Sequence, residues 1–144
     1  MLILNNYNIK IRDFVIESVR KFEAAHGTPK SIGIYCCPWS SWLTINFNLN
    51  KSLEETNNNC PDFEFAEFDV IDFPEWQDEY ETDKPIYQTA NVIIQFNHDE
   101  GNEGINKIFF TYLLSLMTEI NSNLNQKILL QFLDSNCIKL LKGE

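Results

Sequence analysis

Residues 31–48, SIGIYCCPWSSWLTINFN, contain two apolar segments separated by a proline and a short polar connection. The first, at 31–37, is apolar at odd and even positions alike, which is typical of a strand covered on both faces. The second, at 42–48, alternates apolar with more polar residues, which is typical of a strand with one buried face. Pro38 ends the first strand, so the sequence predicts a β-hairpin at the centre of a sheet.

Outside the hairpin, apolar periodicity predicts further helices and strands. Helices are expected at 9–26, 105–120 and 135–142, with a helical turn at 74–81, and strands at 63–70 and 127–134. Alternation slips at Ala66-Glu67, which suggests a β-bulge. Residues 85–97 fit either a strand or one face of a helix, and 97–104 reads as a loop. Because strands and helices do not alternate strictly, we expect one α+β domain over residues 1–144: an antiparallel sheet of about four strands with helices packed on it.

Charge is concentrated in one segment. The net charge is −10, yet the stretch between Lys51 and Lys84 holds twelve acidic residues and no lysine or arginine. The rest of the chain carries nine acidic and eleven basic residues, so it is slightly positive. Nucleic acid is therefore not expected as a direct partner, because phosphate contacts need clustered basic side chains.

Motifs for catalysis or cofactor binding are not found in the sequence. The glycines form no phosphate-binding loop, and Ser40-Ser41 is not part of a nucleophile elbow. The four cysteines lack metal-ligand spacing and are expected to be buried free thiols. His98 precedes two acids, but one histidine in a polar loop is weak evidence for a metal site. We therefore expect no catalytic residue, metal site or cofactor, and no enzyme.

Location follows from two further features. The start of the chain, MLILNN, lacks the basic and long apolar regions of a secretory signal. The most apolar stretch, at 108–117, is about half the length that spans a bilayer. We expect a cytoplasmic protein without membrane contact, and its oligomeric state is left open.

The acidic segment is also aromatic: residues 62–83 read DFEFAEFDVIDFPEWQDEYETD. Its first half has the pattern of a half-buried strand whose acids only face water. Its second half resembles a protein interface, where aromatic anchors lie within a charged rim. The residues expected to contact a basic protein partner are Asp69, Asp72, Phe73, Glu75, Trp76, Asp78, Glu79, Tyr80 and Glu81.

The layout resembles that of small bacterial immunity proteins, which protect cells from polymorphic toxins, including those of contact-dependent growth inhibition. The shared features are a first helix, a two-strand hairpin, the aromatic-acidic stretch PEWQDEYE at 74–81, a long amphipathic helix and a final strand. The resemblance implies a non-enzymatic inhibitor that covers the active site of a toxin domain, or an adjacent surface. Many such toxins are basic nucleases, and no catalytic residue transfers from the family.

Two other functions remain open. An acidic DNA mimic would use the same charge, although a mimic is expected to spread its acids over much of the surface. A small-ligand-binding or enzymatic domain would instead use the hairpin loop at 38–42, where Trp39 and Trp42 flank two serines. A cavity bordered by both tryptophans would favour that function.

Overall fold

The computed structural model of the chain describes residues 1–143. Within them lie eight strands and three α-helices. In chain order these are β1 (Leu2–Ile3), α1 (Asn8–His26), β2 (Ser31–Cys37), β3 (Trp42–Asn48), β4 (Phe65–Asp72), α2 (Pro74–Tyr80), β5 (Ile86–Thr89), β6 (Val92–Gln95), α3 (Gly101–Leu124), β7 (Ile128–Phe132) and β8 (Ile138–Leu141).

The larger sheet has five strands in the order β4-β3-β2-β7-β8. The predicted hairpin is confirmed, with β2 antiparallel to β3 from the pair Ser31↔Asn48 to the pair Cys37↔Trp42. The expected purely antiparallel sheet of about four strands is wrong, because β7 pairs with β2 in parallel. Two strands joined by a short hairpin must run antiparallel, so sequence order determines their relative direction. β7 follows the long helix α3, and sequence order does not determine its direction relative to β2.

A second sheet of three strands has the order β1-β5-β6. The ambiguous residues 85–97 contain the antiparallel hairpin β5–β6, which turns at Ala90 with a φ of 47°. β1 pairs with β5 in parallel through two residues, which is too short a strand to show any periodicity. Tyr87 and Phe96 anchor this sheet in the main core, where both are buried.

Both long helices lie on one face of the larger sheet. Buried residues of α1 and α3, such as Phe22 and Phe109, share a core cluster with the alternate β2 residues Ile32 and Ile34. α1 ends as predicted at Gly27, whose φ of 93° is favourable for glycine. Within residues 1–143, no helix combines the length and apolarity needed to cross a membrane.

Two predictions of secondary structure after residue 97 are wrong. The loop predicted at 97–104 ends early, because α3 begins at Gly101. The helix predicted at 135–142 is instead the edge strand β8, which pairs with β7 from Gln131↔Ile138 to Ile128↔Leu141. Its apolar residues are spaced for either structure, and the free edge of β7 supplies the hydrogen bonds that favour a strand.

The predicted bulge in β4 is confirmed, although the strand covers 65–72 and not 63–70. The β3–β4 register shifts between the pairs Ile45↔Asp69 and Phe47↔Phe65. Glu67 has a φ of 52° within this shift, and its N–H donates to Asn46 Oδ1 at 2.7 Å.

The second face of the larger sheet is covered in part by residues 49–64, here called the cover segment. Leu53, Cys60 and Phe63 of this segment form a small core with Leu129 of β7. All four cysteines are buried and unpaired, as expected from the sequence. Burial raises the pKa of the Cys60 thiol, which makes it a poor nucleophile.

Glu64 holds the start of the cover segment. Its Oε1 atom accepts hydrogen bonds from the backbone N–H groups of Leu49, Asn50 and Lys51 at 2.9, 2.7 and 2.6 Å. Burial acts to raise the pKa of Glu64, but these hydrogen bonds to the charged form outweigh it and hold the pKa below its usual value.

Replacing Glu64 by glutamine is expected to lower the free energy of unfolding by about 1 kcal/mol at neutral pH, because charge-assisted hydrogen bonds are stronger than neutral ones. A folded-state pKa below the unfolded value of about 4.3 stabilises the fold above that pH, and this stability is lost as the pH falls through the folded pKa. Urea unfolding of both proteins over a pH series measures it. The difference between them should shrink below about pH 4, and a constant difference would contradict this role of the charge.

Candidate protein-binding site

Helix α2 carries the centre of the acidic segment and is fixed to the core by its aromatic residues. The Trp76 ring stacks on Phe73 with the ring centroids 4.3 Å apart, and it contacts Phe109 at 4.7 Å. Phe73, directly before α2, and Trp76, within it, were expected to contact a partner, and both are 0% exposed in this structure. Both rings pack inward against the core.

The hairpin loop between β2 and β3 positions the first turn of α2. Ser41 Oγ accepts a hydrogen bond from Gln77 N–H at 2.6 Å, and the Ser41 carbonyl accepts one from Phe73 N–H at 2.7 Å. Ser41 thus satisfies a donor in the first turn that has no partner within the helix. The sequence places Ser41 in a possible ligand-binding loop, and no local pattern predicts this long-range contact.

The outer side of α2 presents carboxylates to solvent. Glu75 and Asp78 are exposed on the helix, Glu81 is exposed just after it, and Asp72 is exposed just before it. Among residues 1–143, none of these four carboxylates takes part in an ion pair. Their negative charge is therefore not neutralised by neighbouring side chains.

Glu79 differs from these residues because it is bound on both sides. Its Oε2 atom accepts the Ile86 N–H at 3.0 Å, and its Oε1 atom lies 3.0 Å from the Met1 amino group. These contacts join α2 to β5 and β1. Glu79 therefore has a structural role in addition to its charge.

A groove of about 550 Å³ lies between α2 and the first residues of the chain. Its walls include Tyr7, Glu75, Asp78 and Glu79. Burial, followed by the charge of Glu75, raises the pKa of the Tyr7 phenol, so Tyr7 stays neutral at physiological pH. Carboxylates beside an aromatic ring suit a lysine or arginine side chain, which gains both ion pairing and cation–π attraction.

Only three of the nine predicted partner-binding residues, Glu75, Asp78 and Glu79, line this groove, and two of the others have internal partners. Asp69 faces α1, where its Oδ2 atom accepts from Ser18 Oγ at 3.2 Å and lies 3.6 Å from Lys21 Nζ. Tyr80 is half-buried, and its hydroxyl donates to Asn102 Oδ1 at 2.7 Å. The structure therefore brings together Glu75, Asp78 and Glu79, and it gives Asp69 and Tyr80 internal partners.

No family model, curated protein or solved structure matches this chain. Any inference about its function therefore rests on the residues of this chain alone. Within residues 1–143, no group of three or more histidine, cysteine or acidic side chains is arranged to hold a metal ion. His98 instead contacts the Thr82 carbonyl through Nε2 at 2.8 Å.

The two tryptophans of the hairpin loop lie on opposite faces of the larger sheet. Trp39 packs against the main core on the helical side of the sheet. The Trp42 ring lies on the other side, with its centroid 5.5 Å from that of Tyr35. The arrangement that would have favoured a ligand-binding loop is therefore not formed.

Proposed function

We propose that this protein is a non-enzymatic inhibitor that acts in the cytoplasm by binding a basic protein domain, as immunity proteins bind their toxins. The observation that carries the proposal is that two exposed carboxylates of α2, Glu75 and Asp78, line a groove and form no ion pair within residues 1–143. Trp76 holds that helix in place, so the charges are positioned before a partner arrives. Little conformational entropy is then lost on binding.

Occlusion is the proposed mechanism. A toxin that acts on nucleic acid binds phosphates through lysine and arginine side chains. Such side chains are complementary to Glu75 and Asp78 in the groove, so the inhibitor would cover the basic surface that the toxin needs for its substrate. The carboxylates also attract a basic partner at a distance, which raises the association rate.

Charge neutralisation on α2 tests this proposal. The substitutions are Glu75→Gln, Asp78→Asn and Glu81→Gln, and they leave Glu79 intact because it binds the Ile86 N–H. Surface plasmon resonance with a basic toxin domain encoded by an adjacent reading frame, if one is found there, should show an association rate about tenfold lower at low salt. The decrease should vanish at high salt, where charges are screened within a few ångströms.

A control variant separates local from overall charge. Asp13→Asn, Glu23→Gln and Glu54→Gln remove the same charge from exposed positions away from α2. This control should keep most of the association rate. Equal rates for the two triple variants would show that α2 is not the contact surface, and a failure of the unmodified protein to bind would reject the proposed function.

A further inference from the structure

The second face of the larger sheet is only half covered. The border of the covered area lies at Gln131 of β7. The Gln131 side chain accepts a hydrogen bond from Cys60 N–H and donates one to Asn59 Oδ1, both at 2.8 Å. Beyond this border the edge strands are exposed, with Val70 of β4 47% exposed and Ile138 of β8 44% exposed. Between them Thr44 is only 4% exposed, and Tyr35 and Trp42 are half-buried. An apolar sheet surface left open to solvent is a feature of interaction sites.

The strand register places these residues in one row. Val70 pairs with Thr44, Thr44 with Tyr35, Tyr35 with Gln131, and Gln131 with Ile138, so the row crosses all five strands. With strands about 4.8 Å apart, the row is roughly 19 Å long. Trp42 lies in the next row, where it pairs with Asp72. We call the surface formed by Tyr35, Trp42, Val70, Asp72 and Ile138 the open face.

Charge on and around the open face is negative. Asp72 is exposed on this surface. Burial, followed by the nearby negative charge of Asp134, raises the pKa of the Tyr35 phenol. The strand positions that point to this face include no lysine or arginine, and Lys139 pairs with the core residue Leu130 on the helical side. Aromatic rings with carboxylates beside them fit an arginine, whose guanidinium stacks and forms ion pairs at once.

Helix α2 alone is too small a surface to bind a partner in a stable complex. Stable complexes bury about 800 Å² on each partner, from roughly 20–30 residues. Helix α2 has seven residues, and both Trp76 within it and Phe73 directly before it are already buried. The open face adjoins it, because Asp72 ends β4 directly before Phe73 and α2.

We propose that the open face is the second half of the partner-binding surface and takes arginine side chains set in apolar surroundings. This inference rests on the proposed function, since it assigns both surfaces to one basic protein. A second copy of this chain fits less well, because two copies would each bring a net charge of −10 and like carboxylates to the same surface.

Nuclear magnetic resonance on the ¹⁵N-labelled protein tests the open face with a synthetic peptide of alternating arginine and valine. The Trp42 indole N–H and the amides of Tyr35 and Val70 should shift and saturate, whereas a glutamate–valine peptide should leave them unchanged. Trp42→Ala and, separately, Asp72→Asn should each weaken arginine-peptide binding by roughly three- to thirtyfold. The spectra of both variants also report whether they remain folded.

The α2 triple variant keeps the two proposals distinguishable. It should retain the shift at Trp42, because its substitutions lie outside the open face. Shifts confined to α2 would overturn the open-face inference and leave the proposed function standing. Shifts that appear on concentrating the protein without peptide would assign the open face to a second copy instead, and the absence of any shift at Trp42 would also reject the inference.

Discussion

Replacing Trp76 by alanine is expected to lower the free energy of unfolding by about 3–5 kcal/mol, because it opens a large cavity in the core. The side chain is fully buried and stacks on Phe73, and it also contacts Phe109 and Tyr7. Chemical denaturation followed by circular dichroism measures the change. Partner binding would weaken only as a consequence, through loss of the helix that carries the carboxylates.

Two further tryptophan variants control this result. Trp76→Phe keeps an aromatic ring in the stack and removes an indole N–H that has no hydrogen-bond partner among the described residues. It should therefore cost less than half as much as alanine. Trp42→Ala should also cost less, because that side chain is only half-buried. Equal losses at positions 42 and 76 would contradict the core role of Trp76.

Replacing Gly33 by alanine should destabilise the fold by about 1–3 kcal/mol through overpacking. A Cβ atom at Gly33 would lie 2.7 Å from Cys60 Sγ and 2.9 Å from Phe63 Cε2. Both contacts come from the cover segment, so this segment would have to move away from β2. Urea unfolding gives the loss, and faster proteolysis within residues 49–64 would report the displacement.

A double-mutant cycle identifies the clash. Cys60→Ala alone removes a buried thiol and should be destabilising. Combined with Gly33→Ala, it also removes the nearest clashing atom, so the double variant should be more stable than the sum of the two losses implies. Strict additivity would mean that Cys60 does not limit the space at Gly33.

The local part of the fold could be predicted from the sequence, and the non-local part could not. The apolar run in 31–37 and the alternation in 42–48 predict the two strands of the hairpin, because the positions of apolar residues show which faces of each strand are buried. β8 was missed because Ile138, Leu140 and Leu141 suit a helix or a strand, and only the free edge of β7 decides between them. The parallel pairing of β2 with β7 leaves no local signal at all.

For the candidate site too, the local features could be predicted from the sequence and the long-range contacts could not. Composition located the acidic segment, and Glu75, Asp78 and Glu81 of that segment are exposed in the structure. The sequence located Phe73 and Trp76 in this segment but not the inward direction of their rings, since Trp76 packs against Phe109 in a distant helix. The open face was not predicted, because its residues come from separate strands that only the register brings together.

The parallel pairing of β2 with β7 also constrains the order in which the protein can fold during synthesis. β2 lies between β3 and β7, and a ribosome must add 95 residues after Cys37, the end of β2, before Phe132 has been made. Until then, one edge of an almost entirely apolar strand has no partner, and such edges readily pair with other chains. The nascent chain therefore passes through a stage in which its most aggregation-prone strand is only half paired, and β7 ends that stage.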